Sequence, residues 1–270
     1  MIVDFHTHVF PDRIAAKTIA HLSEKGGIPP FSDGTCHGLL SRMREAGVAL
    51  SVTLPVLTSP TQFDSVNRFA SELNRENEGK MPRLLSFAGI HPDCDGIEEK
   101  MAFLRENGFK GVKIHPDYQG VYIDDERYIR IVAAAKKEDL IVVTHAGVDT
   151  GFRGSPVRCT PKRAFNLLCR VPYSKIVFAH LGGCEMQDEV METLAGEDVY
   201  LDTAYVLRFT DKEYMKRLLL RHGEDRILFA SDSPWSDIKT DVDILKGFSL
   251  GKKTEEKIFC ENAKALLGIR

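Results

Sequence analysis

The chain has no cysteine pair with metal-type or disulfide-type spacing. Its six cysteines, Cys36, Cys94, Cys159, Cys169, Cys184 and Cys260, are scattered without a Cys-x-x-Cys. A chain of 270 residues can bury a core without staples, so they read as reduced thiols. Cys169 and Cys260 fall inside helical patterns and are expected as small buried hydrophobes. There is no excess of positive charge: the net charge is -3 with 28% charged residues, which excludes the basic field that recruits nucleic acid. No apolar run approaches the ~18 residues that cross a bilayer, and the start lacks a positive n-region and an apolar h-region. The expectation is a cytoplasmic protein without a membrane partner. No Gly-x-Gly-x-x-Gly turn follows the first apolar run, so the usual mark of a dinucleotide-binding sheet is missing. With no linker-like stretch or composition shift, one domain over residues 1–270 is expected.

What is there is a rhythm. Short apolar runs end at His8, Pro55, His91, His115, His145, His180, Thr203 and Asp232, and amphipathic helical patterns lie between them. The helical stretches are read at 14–25, 37–46, 61–79, 97–106, 124–137, 161–169, 186–194, 211–222, 242–246 and 254–267. Eight strand-like runs alternating with helices in about 250 residues predict an α/β fold, a single (β/α)8 TIM barrel. An open doubly wound sheet is the alternative.

In such a barrel the C-terminal ends of all strands open on one face, where active sites form. His8, His91, His115, His145, His180 and Asp232 all fall at such ends. His6 and His8, two residues apart in an extended run, project from one face and make half a metal site. His21, His37 and His222 sit on helices or loops and read as ordinary surface or packing histidines. His91 and His115 precede prolines that stop a strand. His91 reads as a strand-end residue capped by a turn, and His115 either as that or as a substrate contact. Neutral imidazoles with one carboxylate suit a catalytic site that keeps a coordination position open; zinc fits such donors, and manganese and iron fit them too.

The motifs His6-x-His8, Val143-Thr-His145-Ala-Gly, Ala179-His180-Leu-Gly-Gly and Ala230-Ser-Asp232-Ser-Pro-Trp resemble the amidohydrolase superfamily. Within it they are similar to the amidohydrolase-2 group of TIM-barrel metal-dependent hydrolases, which also includes decarboxylases of aromatic and muconate-type acids. Gly111-Val-Lys-Ile-His-Pro116 and Glu261-Asn-Ala-Lys-Ala-Leu-Leu-Gly268 extend the likeness over nearly the whole chain. The resemblance implies that His6, His8, His145 and Asp232 ligate a divalent metal, and that His180 stands beside it as a catalytic residue, either a second-metal ligand or a hydrogen-bond donor to the substrate. Asp232 would also orient an activated water and pass on its proton. Lys113 is either a carboxylated lysine bridging a second ion or an amine paired with a buried charge; the group usually works with one ion.

Around the rim Tyr118, Arg153, Arg158, Tyr205, Arg208 and Trp235 follow strands and are expected to line a pocket. Arg208 is the preferred anchor for an anionic substrate. The Gly-rich stretch 144–161 has the length of a lid. The leading expectation is hydrolysis of a small anionic or cyclic amide, lactone or lactam by a metal-activated water. Non-oxidative decarboxylation on the same ligands is the runner-up, and a non-catalytic metal-stabilised barrel is a third reading. The partner is a small molecule; whether two copies pair as a homodimer is left open.

Overall fold

The computed structural model describes residues 1–269. Nine short strands run in chain order: β1 (Ile2–Thr7), β2 (Val48–Thr53), β3 (Arg83–Ser86), β4 (Ala88–Gly89), β5 (Gly111–Ile114), β6 (Ile141–Thr144), β7 (Ile176–Phe178), β8 (Tyr200–Asp202) and β9 (Ile227–Leu228). Every paired neighbour is parallel, in one ladder β1-β2-β3 and a second from β4 to β9. β3 and β4 are separated by Phe87 alone, whose N–H still donates to the Thr53 carbonyl, so together they make one stave of eight. The ring then closes on itself. Phe5 N–H donates to Phe229 O (2.9 Å), Asp232 N–H to His6 O (2.8 Å), and His8 N–H to Ser233 O (2.7 Å). This is the barrel that the alternation of runs implies, with the last stave held by a looser seam than the others.

The strands are nearly continuous apolar runs because both faces are covered. Val112, Ile114, Val142, Ile176, Phe178 and Phe229 face the surrounding helices. Val3, Phe5, Val52, Leu85, Phe87, Val143, Val177 and Leu228 fill the interior, where Phe5 and Phe87 meet edge to face at 5.9 Å. Helices carry their own start signals. Thr35, Asp125, Thr160, Asp211 and Asp237 each accept a backbone N–H at the head of the helix that follows.

β1 holds the detail that positions the site. Asp4 pairs with Ser51 and Thr7 with Thr53, so three steps along β1 match two along β2. The extra residue is a bulge, and it re-phases the strand. Phe5 lies in the interior cluster, yet His6 also points inward, where its ring meets the Lys113 amine. Asp4 is left facing the seam. Its Oδ1 accepts Ser231 N–H (2.9 Å) and its Oδ2 accepts the Ser231 hydroxyl (2.6 Å), tying β1 to the segment after β9.

Several expectations need correction. The stretch 254–267 is not one helix but α-helical Lys252–Glu256, a π-turn over Lys257–Glu261, and α-helical Asn262–Leu267. The π-turn frees the Ile258 carbonyl to accept Phe229 N–H, and Asn262 donates to the Glu224 and Ile227 carbonyls, so this segment clamps the base of β9. The helix read over 242–246 runs from Ile238 to Gly247, because Asp237 caps it earlier. A one-turn helix, Pro116–Gln119, follows β5 and was not anticipated. Cys169 is exposed at the end of helix Pro161–Arg170 and Cys260 only half-buried, so neither is the buried hydrophobe expected.

Burial lifts the Asp4 carboxyl to about 7 despite its hydrogen bonds. A carboxyl raised in the folded state supports stability fully below its unfolded value and loses that support as pH climbs through the folded one. The stability advantage of the wild type over Asp4→Asn should therefore shrink between about pH 4 and about pH 7 in urea titrations. A constant difference would show that Asp4 does not titrate in that window. Asp4→Ala, which removes the seam acceptor, should cost about 1–3 kcal/mol.

Candidate metal centre

His6 and His8 arrive on β1 with their protons already committed. His6 Nδ1–H donates to Asp202 Oδ2 at 2.9 Å, and His8 Nδ1–H donates to the Leu54 carbonyl at 2.8 Å. Carboxylates and carbonyls only accept, so both Nε2 atoms carry lone pairs. Those two atoms lie 3.2 Å apart, and Asp232 Oδ1 lies 3.1 Å from His8 Nε2 and 3.5 Å from His6 Nε2. Three electron-pair donors facing one another at this range repel unless a cation stands among them. The donor set therefore fits a divalent metal, and these three residues form a group able to hold one.

Each member is aimed by something specific. Asp202, fully buried at the end of β8, accepts from His180 N–H (3.0 Å) and Ala204 N–H (3.1 Å) through Oδ1, which leaves Oδ2 for His6. Burial lifts Asp202 to about 7. Asp232 is placed by a left-handed backbone, φ 68°, unusual for a residue other than glycine. His180 (φ 60°) and Tyr205 (φ 66°) are left-handed as well, so the exits of β7, β8 and β9 are all strained at the rim. Lys113 on β5 is buried, with Nζ donating to His6 Nε2 at 3.1 Å. Burial lowers its amine to about 8.

Of the four expected ligands, His6, His8 and Asp232 come together. His145 falls into a neighbouring group, with His115 and Asp149. His180 joins the two: its Nδ1–H donates to the Ala204 carbonyl (2.8 Å), so its Nε2 is a lone pair, 2.9 Å from His145 Nδ1. His145 Nε2 and Asp117 Oδ2 are both buried without partners, 3.9 Å apart. With the proton on Nε2, facing the Asp117 carboxylate, His145 Nδ1 becomes another lone pair facing the site. At 3.9 Å the two atoms are too far apart for a hydrogen bond, but the carboxylate's charge favours that tautomer, which adds His145 to the donors. Burial, reinforced by the neighbouring positive groups, keeps His6 and His145 well below the ordinary imidazole value, in the neutral form that ligation requires.

The group His115, His145 and Asp149 is different. The two rings are stacked, 4.4 Å between centroids and 11° from parallel, so their lone pairs run side by side and do not converge. His115 Nε2 instead faces Asp149 Oδ2 at 3.3 Å. Burial works against ionisation of Asp149, but the His115 hydrogen bond and the surrounding imidazoles outweigh it and hold its carboxyl well below the usual range. The trio is a histidine–aspartate dyad leaning on the His145 ring.

A cavity of about 430 Å³ opens over these groups. His115, Tyr118, Tyr205 and Trp235 line it, as expected. Arg208 does not: it is exposed, stacks near Tyr205 at 4.8 Å, and donates to the Trp235 carbonyl (2.7 Å). The expected anionic anchor therefore lies outside, because its guanidinium is used to brace the backbone after Asp232. Arg153 pairs with Glu185 and Arg158 with Asp117, so neither is free. The arginine that does line the cavity is Arg13, in the first turn of helix Asp12–Gly26. His91 is capped, its Nδ1 accepting Asp93 N–H (3.1 Å), and lies away from the cavity. The lid-like stretch is anchored at its base, where Val148 N–H donates to Cys184 O and Gly147 bridges to Cys184. A side chain at Gly147 would meet Cys184 N at 2.1 Å, which is why glycine follows Ala146.

Asp202, Asp149, Asp117 and Arg13 were missed from the sequence. Asp202 carried a signal, a carboxylate inside the apolar run Val199–Thr203. Asp149 and Asp117 sit in loops, where aspartates are common and carry none.

A closed parallel barrel with imidazoles and a carboxylate gathered at the C-terminal mouth of its strands defines a barrel protein with a candidate metal site. A model of the amidohydrolase family matches residues 3–269, and the chain belongs to that family. No curated protein matches the sequence. Among solved structures it is similar to an uncharacterized TIM-barrel protein from Bordetella bronchiseptica (15% identity, TM-score 0.73, covering 99% of this chain and 98% of that one). It is also similar to a dihydroxybenzoic acid decarboxylase from Polaromonas sp. JS666 with bound manganese and an inhibitor (16%, TM-score 0.70, 99% and 96%). A third is a protein described as a 2-pyrone-4,6-dicarboxylic acid hydrolase from Pseudomonas putida (16%, TM-score 0.68, 99% and 97%).

His6→Ala or His8→Ala should abolish most bound divalent metal, read by elemental analysis, with circular dichroism unchanged. Asp202→Asn, which removes the acceptor for His6 Nδ1–H, should weaken metal affinity roughly 10–100-fold. Unchanged metal content in all three would refute this ligand assignment.

Proposed function

We propose that the protein is a metal-dependent hydrolase of a small amide, lactone or lactam, with His6, His8, His145 and Asp232 holding the ion. The observation that carries this is the trio of mutually facing lone pairs on His6, His8 and Asp232, with their protons held elsewhere. A divalent cation there, zinc by its affinity for imidazole or manganese as in the Polaromonas relative, supplies Lewis acidity and an acidified water. Asp232, whose second oxygen is not engaged by either histidine, takes the proton from the attacking water and returns it to the leaving nitrogen or oxygen. His180 presents a fixed lone pair toward His145, which suits ligation or proton acceptance better than donation to a substrate. His115, its Nε2 engaged by Asp149, stands at the wall of the cavity and is the substrate contact on that side. Tyr118 and Trp235 bound the same space.

Decarboxylation is the second reading, supported by the decarboxylases among similar barrels and by the apolar side of the cavity, which suits an aromatic acid. Metal-loaded protein assayed against lactones, lactams and hydroxybenzoates, with acid release and CO2 both recorded, separates the two. Carbon dioxide without hydrolysis would reverse the order. Asp232→Asn should lower turnover at least 10²-fold with the fold retained.

Lys113 is assigned as an uncarboxylated amine. Lys113→Met should then leave a one-ion enzyme with unchanged metal stoichiometry; a fall in stoichiometry, with intact wild type heavier by one CO2, would make it the bridge between two ions.

A further inference from the structure

Aside from its histidines, the lining of the cavity holds four charged residues, and three of them are committed. Lys113 donates to His6, Asp149 faces His115, and Asp232 stands against His8. The fourth is Arg13, which is exposed and makes no ion pair among the described residues. No carboxylate other than Asp149 and Asp232 lines the cavity, so nothing of opposite charge on the lining competes for this guanidinium. Arg13 is also tied to the metal site by the chain. It stands five residues after His8, and the intervening Val9, Phe10 and Pro11 line the cavity too. Even a fully extended stretch of that length covers at most ~18 Å, so the candidate metal centre and the guanidinium belong to one small chamber.

The groups on the same lining suit an anion. Gln62 Oε1 accepts Thr58 N–H (2.8 Å) and Ser59 N–H (3.2 Å), which fixes the amide and leaves its Nε2 hydrogens uncommitted. Thr18 adds a hydroxyl, whereas the Ser65 hydroxyl is spent on the Gln62 carbonyl at 3.2 Å. Ile14, Leu22, Val66 and Phe69 supply the apolar remainder, which weakens the screening of a charge held among them. One cation with neutral donors balances one negative charge, and the planar fork of a guanidinium matches the two oxygens of a carboxylate. A dianion such as phosphate would keep one charge without a partner.

We propose that Arg13 is the anion anchor of this cavity, and that the substrate carries a carboxylate at the end remote from the bond that reacts. Arg13 thereby takes the specificity role that Arg208, folded back onto the Trp235 carbonyl, does not fill. The proposal rests on the metal reading above only for which end of the ligand faces the imidazoles.

Zinc-loaded wild type, Arg13→Met and Arg13→Lys are titrated by calorimetry with two matched sets of ligands. One set is the monohydroxamates of succinic, glutaric and adipic acid; the other is butano-, pentano- and hexanohydroxamate. Within a pair the compounds share chain length and differ only in ending on a carboxylate or a methyl group. At one length or more the carboxylate compound should bind wild type about tenfold more tightly than its methyl partner, the exposure of Arg13 keeping the gain below that of a buried pair. Arg13→Met should erase that preference, Arg13→Lys should keep part of it, and zinc content should match across the three proteins. Methyl-ended compounds that bind as well as their partners at every length would overturn the proposal. So would a preference that survives Arg13→Met, since another group would then hold the anion. If no hydroxamate binds, it is the metal reading that fails, and the anchor is read in zinc-free protein with adipate against hexanoate. An advantage for adipate that Arg13→Met removes upholds the anchor; equal binding of the two overturns it.

Discussion

Everything at the mouth of this barrel depends on where two imidazole protons go. Asp202 takes the Nδ1 proton of His6 through Oδ2 while its Oδ1 holds the backbone of His180 and Ala204, and the Leu54 carbonyl takes the Nδ1 proton of His8. Once those protons are fixed, the two Nε2 lone pairs and the Asp232 carboxylate must face each other in a space that water barely reaches. At an effective dielectric near 20, unlike charges at such range attract by about 4 kcal/mol, and the same field works against an empty site lined with electron pairs. The protein holds this unfavourable arrangement through its backbone, and a cation relieves it. Lys113 shows the pressure from the other side: it offers the same lone pairs a proton, and burial weakens its hold on that proton.

The backbone devices that hold the arrangement are all local departures from ideal geometry. The bulge between Asp4 and Thr7 turns His6 inward without displacing Phe5 from the interior. The left-handed residues His180, Tyr205 and Asp232 end three successive staves with a turn that a regular strand could not make. Such positions cost of order 1–3 kcal/mol each and persist only where the surroundings over-determine them. Here the surroundings are the clamp of Asn262 and Ile258 below β9 and the Asp4–Ser231 seam beside it. Stability stored in the base of the barrel thus holds the strain at its mouth, which is the usual division of labour between the two ends of this fold.

That division explains which parts were legible in the chain. The barrel could be read because its signal is spread over the whole length: apolar runs alternate with helical periodicity through eight units, and an error of two residues in any boundary leaves the count intact. The rim residues His6, His8, His115, His145, His180 and Asp232 could be read because strand ends in a barrel share one face. What could not be read is anything set by a side chain's third dimension. Arg208 follows a strand as an anchor should, yet its guanidinium folds back onto the Trp235 carbonyl, and nothing in the chain distinguishes that from an inward pose. The exposure of Cys169 is likewise a matter of which side of a helix end faces out. Asp202 was within reach, since a carboxylate in the middle of an apolar run needs a partner, and the only partners a barrel interior offers are at the site.

The floor of the cavity does not by itself select a reaction. A neutral imidazole cluster with one carboxylate can activate water against a carbonyl or hold an acid while carbon accepts a proton, and barrels of similar fold include a decarboxylase and a protein described as a hydrolase. Selection must then come from groups that reach the substrate without touching the ion. His115 is the nearest of these, and it is neither free nor a ligand: its Nε2 is engaged by Asp149, its face rests on His145, and Tyr118 meets its edge at 4.8 Å. An imidazole held on three sides keeps one orientation at the cavity wall. Which reaction follows is then decided by how the rest of the lining seats the body of the substrate. The loops around the mouth are therefore where barrels of the same fold can diverge in chemistry while the barrel beneath them stays the same.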